Sequence, residues 1–184
     1  MKNIKIPAAI EVRYETWSRF LDEQLHFRLK SVIHTKDHEK RVLLFSLMIG
    51  ERWGLSGEDL DILGAASVFH DTRRREDWLD TGHGDRAAAY YKEYCEEKNF
   101  PYHPEVFAIM AFHDRDDRRG NEFIRKNFKD WQRVLLLYHI FKDADGLDRF
   151  RLGENGLDER YLRTKEGRGL VPLAKKLSGK AVSR

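Results

Sequence analysis

Cysteine is almost absent: the 184 residues contain one, Cys95, so no internal disulfide can staple the fold. Long hydrophobic runs are missing too. The longest, residues 42–49, is interrupted by Ser46 and falls far short of the roughly 20 residues that cross a bilayer. The start carries no secretory core, because Pro7, Glu11 and Arg13 break up its scattered apolar residues. These absences lead us to expect a cytoplasmic protein with no membrane partner. Alternating stretches long enough for a strand are lacking, as are internal repeats and low-complexity tracts. Neither sign of charge dominates: Lys and Arg total 34, Asp and Glu 31, and the formal net charge is +3. The basic residues are scattered without an aromatic–basic module, which disfavours a nucleic-acid polymer as partner and suits a small anionic substrate. What is present is 41% hydrophobic and 35% charged residues, enough apolar material for a real core under a charged surface.

The apolar residues recur at steps of three and four, which predicts an all-α, compact multi-helix bundle. Ile10, Tyr14, Trp17, Leu21, Leu25 and Leu29 set a first helix over residues 10–30. A second spans 38–53, with Thr35 as its cap and His38, Val42, Phe45 and Ile49 on its inner stripe. A third spans 58–71 behind Ser56 and Asp59, which resemble a capping box. Residues 72–84 read as a loop and 85–98 as a helix. Another helix begins at Pro104 and ends at His113. Residues 114–119 read as a charged turn closed by Gly120, and 121–129 as a short helix. Asp130 is expected to cap a long helix over 131–147. From Phe150 the composition shifts, with Gly153, Gly156, Gly167, Gly169 and Gly179 breaking any long element. The expected organisation is a helical domain over 1–150 and an irregular C-terminal arm over 151–184, packed on that domain, with one short helix at 172–177. Exposed aromatics on such a body leave room for a homo-oligomer.

The stretch that asks for an explanation is Val68-Phe69-His70-Asp71. Three apolar turns run straight into a His-Asp pair, and His70 shares a stripe with Ala66 and Leu63. A buried carboxylate without a partner costs several kcal/mol, on the order of 2–7, or takes up a proton. A divalent cation is one partner that takes both groups together. His38 opens the inner stripe of the second helix, and Asp145 follows Val134, Tyr138 and Phe141 on the long late helix. Two histidines and two carboxylates from packed helices make a candidate metal cage. Ligands of nitrogen and oxygen without thiolate suit Mn, Fe, Co, Ni, Zn or Mg.

These residues resemble the HD-domain metal-dependent phosphohydrolases. The resemblance rests on His38-Glu39-Lys40-Arg41-Val42, on Ala65-Ala66-Ser67-Val68-Phe69-His70-Asp71, and on Lys142-Asp143-Ala144-Asp145-Gly146-Leu147-Asp148, and covers about residues 35–150. It implies that His38, His70, Asp71 and Asp145 hold a divalent metal ion. It also implies hydrolysis of phosphate esters of small molecules, with nucleotides as the expected substrates and a metal-bound water or hydroxide as nucleophile. His83, in Gly82-His83-Gly84, and His113 resemble two further family histidines that either help bind a second metal or face the substrate phosphate. We adopt the single-metal reading, with both lining the pocket. Arg73, Arg74 and Arg75 follow the metal pair, and guanidinium matches phosphate oxygens in bidentate fashion. One of the three at most is expected to face substrate, the others belonging to a solvated loop. Glu76 and Asp77 are candidates for the group that protonates the leaving oxygen. His34 reads as an exposed loop residue. The rivals are a di-iron oxygenase on the same scaffold and a non-catalytic, metal-stabilised regulatory domain.

Overall fold

The computed structural model describes residues 6–178. Residues 1–5 of the expected leader, Gly179 and the rest of the arm's end lie outside them. The protein is all-α: among the described residues there are nine α-helices, two short 3-10 turns and no strand. Helices α2 (Lys36–Arg52), α3 (Gly57–Phe69) and α7 (Trp131–Asp148) form the centre, α2 packing on both of the others. Helix α1 (Ala8–Gln24) lies across α2 and α3. Helices α4 (His83–Lys98) and α5 (Pro104–His113) pair on the far side, with α6 (Asp117–Asn127) against α5 and α7. Phe45, Phe69, Tyr91, Tyr138 and Phe141 are fully buried between these helices. Each such side chain contributes about 1.5–3 kcal/mol by leaving water.

The caps explain most of the boundaries. The Thr35 side chain accepts from the His38 N–H (3.4 Å), and Ser56 Oγ accepts from the Asp59 N–H (3.1 Å) while donating to its carboxylate (2.9 Å). Pro104 is the first residue of α5, where its missing N–H costs nothing. Asp130 holds the N-cap position of α7 but its side chain makes no capping bond there, contrary to expectation.

Three other expectations fail for tertiary reasons. Helix α1 stops at Gln24 rather than running to residue 30, and Leu25 is extended and fully buried. The chain after it is claimed by the loop beyond Asp71: the Arg28 N–H donates to Thr72 O (2.9 Å) and Arg73 Nη1 donates to His26 O (2.7 Å). The turn expected at 114–119 gives way to α6, which starts at Asp117 behind Asp116 as cap. Gly120 lies inside that helix, packed so closely that a Cβ there would come within 2.6 Å of the Tyr138 ring. Helix α4 begins two residues early, so His83 stands in its first turn and not in the loop.

After α7 the chain runs through turns into α8 (Lys165–Arg168) and α9 (Val171–Ser178). Phe150, Leu162, Leu170, Val171 and Ala174 are buried in the same core as the helical body. Buried Asp143 on α7 ties this arm down, accepting from the Thr164 N–H and Oγ1 (both 2.7 Å) and the Arg163 N–H (2.8 Å).

Candidate metal centre

Five helices deliver their ends to one point. His38 comes from the first turn of α2, His70 and Asp71 from the end of α3, His83 from the start of α4, His113 from the end of α5, and Asp145 from the last turns of α7. The first five are buried, and Asp145 is partly exposed. Gly84 lets α4 and α5 close to this point, because a Cβ there would lie 2.4 Å from Met110 O.

Asp71 is the hub. Its Oδ2 lies 3.6 Å from His38 Nε2 and 3.9 Å from His70 Nε2. Its Oδ1 lies 3.0 Å from His83 Nε2 and 3.8 Å from His113 Nε2. The two histidines of each pair also face each other, at 3.3 Å for His38 and His70 and 2.9 Å for His83 and His113. Asp145 Oδ1 joins the first pair, 3.6 Å from His38 Nε2 and 3.9 Å from His70 Nε2. His38, His70 and Asp71 form one group that could hold a metal ion, and Asp71, His83 and His113 form another.

The outer nitrogens fix what the inner ones can do. His38 Nδ1 donates to Asp148 Oδ2 (2.7 Å), His83 Nδ1 to Asp80 O (2.7 Å) and His113 Nδ1 to Met110 O (2.7 Å). His70 Nδ1 faces Ser67 O (2.9 Å) and Glu39 Oε2 (2.8 Å). Every Nδ1 therefore carries its proton toward an acceptor, which turns the four Nε2 atoms toward a carboxylate. Nitrogens at such distances repel as bare lone pairs unless a proton or a metal ion sits among them, so this donor set fits a cation. Burial alone would lower the His70 pKa, but the Glu39 and Asp71 carboxylates outweigh it and raise it to about 10. The same surroundings act oppositely on the acids. Burial would raise Asp71 and Asp145, yet the histidines around them hold both well below the usual carboxylate range. The centre favours positive charge.

A cleft of ≈ 680 Å³ opens over the centre, with Asp71, His83, His113 and Asp145 in its floor. Of the three consecutive arginines only Arg74 reaches it. Its Nη1 lies 3.1 Å from His83 Nε2 and 3.4 Å from Asp71 Oδ1, while Nη2 donates to Trp78 O (2.8 Å). Arg73 is instead stacked on the Tyr90 ring at 3.2 Å, and the Arg75 side chain is exposed outside the cleft. Glu76 is also exposed, and its contact with Arg74 is through its carbonyl oxygen. Asp77 borders the cleft, but a hydrogen bond from Ser31 Oγ lowers its pKa, so it stands as a carboxylate and not as an acid.

No match to a family model, a curated protein or a solved structure was found.

Four residues escaped the sequence reading. Asp148 orients His38 and is held by Arg41, whose Nη2 donates to it (3.0 Å). Glu39 is fully buried beside His70. Asp114 accepts from the Gly82 N–H (2.6 Å) and steadies the turn before His83. His34 is not an exposed loop residue: it borders the cleft, with Nδ1 3.3 Å from Asp77 Oδ1 and Nε2 3.8 Å from Asp71 Oδ2. Burial lowers its pKa to about 4, so it is neutral at pH 7. The available signals were the four-residue step from His34 to His38 and the one-turn spacing of Asp148 after Asp145.

Proposed function

We propose that the protein is a metal-dependent hydrolase of phosphate esters of small molecules, of the HD-domain kind, acting on nucleotides. The observation that carries the reading is the convergence of four Nε2 atoms and Asp71 beneath a cleft bordered by arginine and lysine. His38, His70, Asp71 and Asp145 would hold a divalent cation, which supplies Lewis acidity and a nucleophilic water at neutral pH. Nothing in the donor set selects one metal of the six that suit it.

The other side chains divide the remaining work. Asp148 and Glu39 keep the His38 and His70 rings turned inward. Arg74 delivers a fixed guanidinium among Asp71 Oδ1 and His83 Nε2, where a second cation would otherwise have to sit. That favours one metal per chain, with Arg74, His83 and His113 facing phosphoryl oxygens. His34, steadied by Asp77, borders the cleft as a neutral imidazole that can accept a hydrogen bond there but has no proton to give the leaving oxygen.

The rival with an observation behind it is the di-iron oxygenase, since each oxygen of Asp71 faces its own pair of histidines. The test is hydrolysis of a panel of nucleotides and simple phosphate esters after chelation and after add-back of single cations. Hydrolysis that chelation abolishes and one or more cations restore is expected. Oxygen uptake with two irons and no ester cleavage would replace this reading by the oxygenase. A melting temperature raised by cations without turnover would make the chain a metal-stabilised regulatory domain.

A further inference from the structure

Two clefts meet at the centre. The second, of ≈ 610 Å³, runs from His113 and Asp145 along the C-terminal arm past Asn155 and Tyr161. His113, Arg115, Lys142, Asp145 and Arg149 border both clefts, so the metal ligands lie at a junction and not at a dead end. Each cleft has one exposed aromatic ring on its border: Trp78 is 78% exposed in the first and Tyr161 70% exposed in the second. Both rings are exposed while their backbones are pinned by an arginine. Arg74 Nη2 donates to Trp78 O and Arg163 Nη1 to Tyr161 O, each at 2.8 Å. A large flat side chain held in position but left in water is a platform for stacking.

The charges narrow what lies between the platforms. Arg74 faces Asp71, Arg115 faces Asp85, Lys142 faces Asp117, Arg151 faces Asp148 and Arg163 faces Asp117 and Asp143. Among the described residues, Arg149 is the cleft cation that forms no ion pair. Its Nε donates to Gly156 O (2.8 Å), and like Asp145 it borders both clefts. Arg149 is therefore free to pair with a phosphate oxygen placed between the two clefts.

We infer that the substrate is a phosphodiester with a planar group on each arm, of dinucleotide size. Its phosphorus sits at the junction by Arg149, one planar group stacks on Trp78 and the other on Tyr161. The inference rests on reading the centre as a phosphoryl site. In the reaction, water adds to phosphorus and the bond from phosphorus to one arm's oxygen breaks. That oxygen leaves with a proton, giving an alcohol and a phosphate monoester.

The experiment is calorimetric binding to the full-length, cation-loaded protein. The probes are a dinucleoside phosphorothioate diester, which is cut slowly, and the matching mononucleotide. The diester should bind about tenfold tighter than the mononucleotide, and Trp78→Ala and Tyr161→Ala should each weaken it about tenfold. Each change should alter mononucleotide binding only where that single base stacks. Arg149→Gln should weaken the diester as well. Both aromatic rings are exposed, so these variants are expected to fold, and an unchanged helical circular dichroism spectrum checks it. Equal affinity for the two probes, or loss on changing only one ring, overturns the inference. The full binding pattern without cleavage of the unsubstituted diester supports the two-armed seat and overturns the hydrolase reading alone.

Discussion

Asp71 touches all four buried histidines through its two oxygens, and no other residue of the centre does so. Its neighbours are held by second partners that contribute as much to the geometry. Asp148→Asn keeps the shape of the side chain but removes the charge that His38 Nδ1 donates to. Cation affinity should fall roughly 10–100-fold with the helical content unchanged, as titration with a competing chelator would measure. Unaltered affinity would mean that His38 is oriented by packing alone. Gly84→Ala forces a Cβ to 2.4 Å from Met110 O, the same oxygen that accepts from His113 Nδ1. It should lower stability by about 1–3 kcal/mol in denaturant unfolding. At this scale the sequence was legible where a polar residue broke an apolar stripe, as His38, His70 and Asp145 do. Glu39 was not legible, since an acid in the first turn of a helix has an ordinary explanation in the helix dipole. Only the packing of α3 over it turns Glu39 into a buried partner of His70.

Helices α6 and α7 hold the C-terminal arm through a cluster of charges. Asp117 accepts from Arg163 Nε (2.7 Å) and lies 3.1 Å from Lys142 Nζ, while Asp143 takes the start of α8. Asp143→Ala would strand the Thr164 N–H and hydroxyl inside the protein, at a cost of about 3 kcal/mol. Thermal unfolding of that variant should show it, and an unchanged midpoint would mean that the arm adds nothing to stability. Asp117 gives the same clasp a pH dependence. Burial would raise its pKa, but Arg163 and Lys142 outweigh burial and lower it. A lowered folded pKa means stability that is present above the ordinary value of about 3.9 and lost as pH falls through the folded value. The gap in stability between the wild type and Asp117→Asn should therefore be wide at pH 6 and shrink toward pH 3. The position of α6 could not be read from its run of charges, in which Asp116 is one of several acids that could have capped it; only the structure shows Asp116 taking the Arg118 N–H and Gly120 fitting under the Tyr138 ring. The early end of α1 escaped for a similar reason: its apolar period continues through Leu29, and only the loop carrying Arg73 pulls the chain away.

For the whole molecule, the centre is also a joint, because α2, α3, α4, α5 and α7 each contribute a side chain to it. A cation bound there closes the bundle in its native form and has no equal site in the unfolded chain. At a hundredfold excess over the dissociation constant that coupling is worth about 2.7 kcal/mol, so the melting temperature should rise with added cation and fall on chelation. The all-α class followed from periodicity alone. The clefts did not, since they are formed by the loop 72–82 and the arm, whose paths depend on Arg74, Arg149 and Arg163 finding particular carbonyl oxygens. The most direct measurement is elemental analysis of the purified wild type beside Asp71→Ala. The expected result is one divalent cation per chain in the wild type and none in the variant, because the hub carboxylate is gone. A full metal complement in Asp71→Ala, or a wild type that binds no cation under any loading, would contradict the assignment of this cluster as the metal centre.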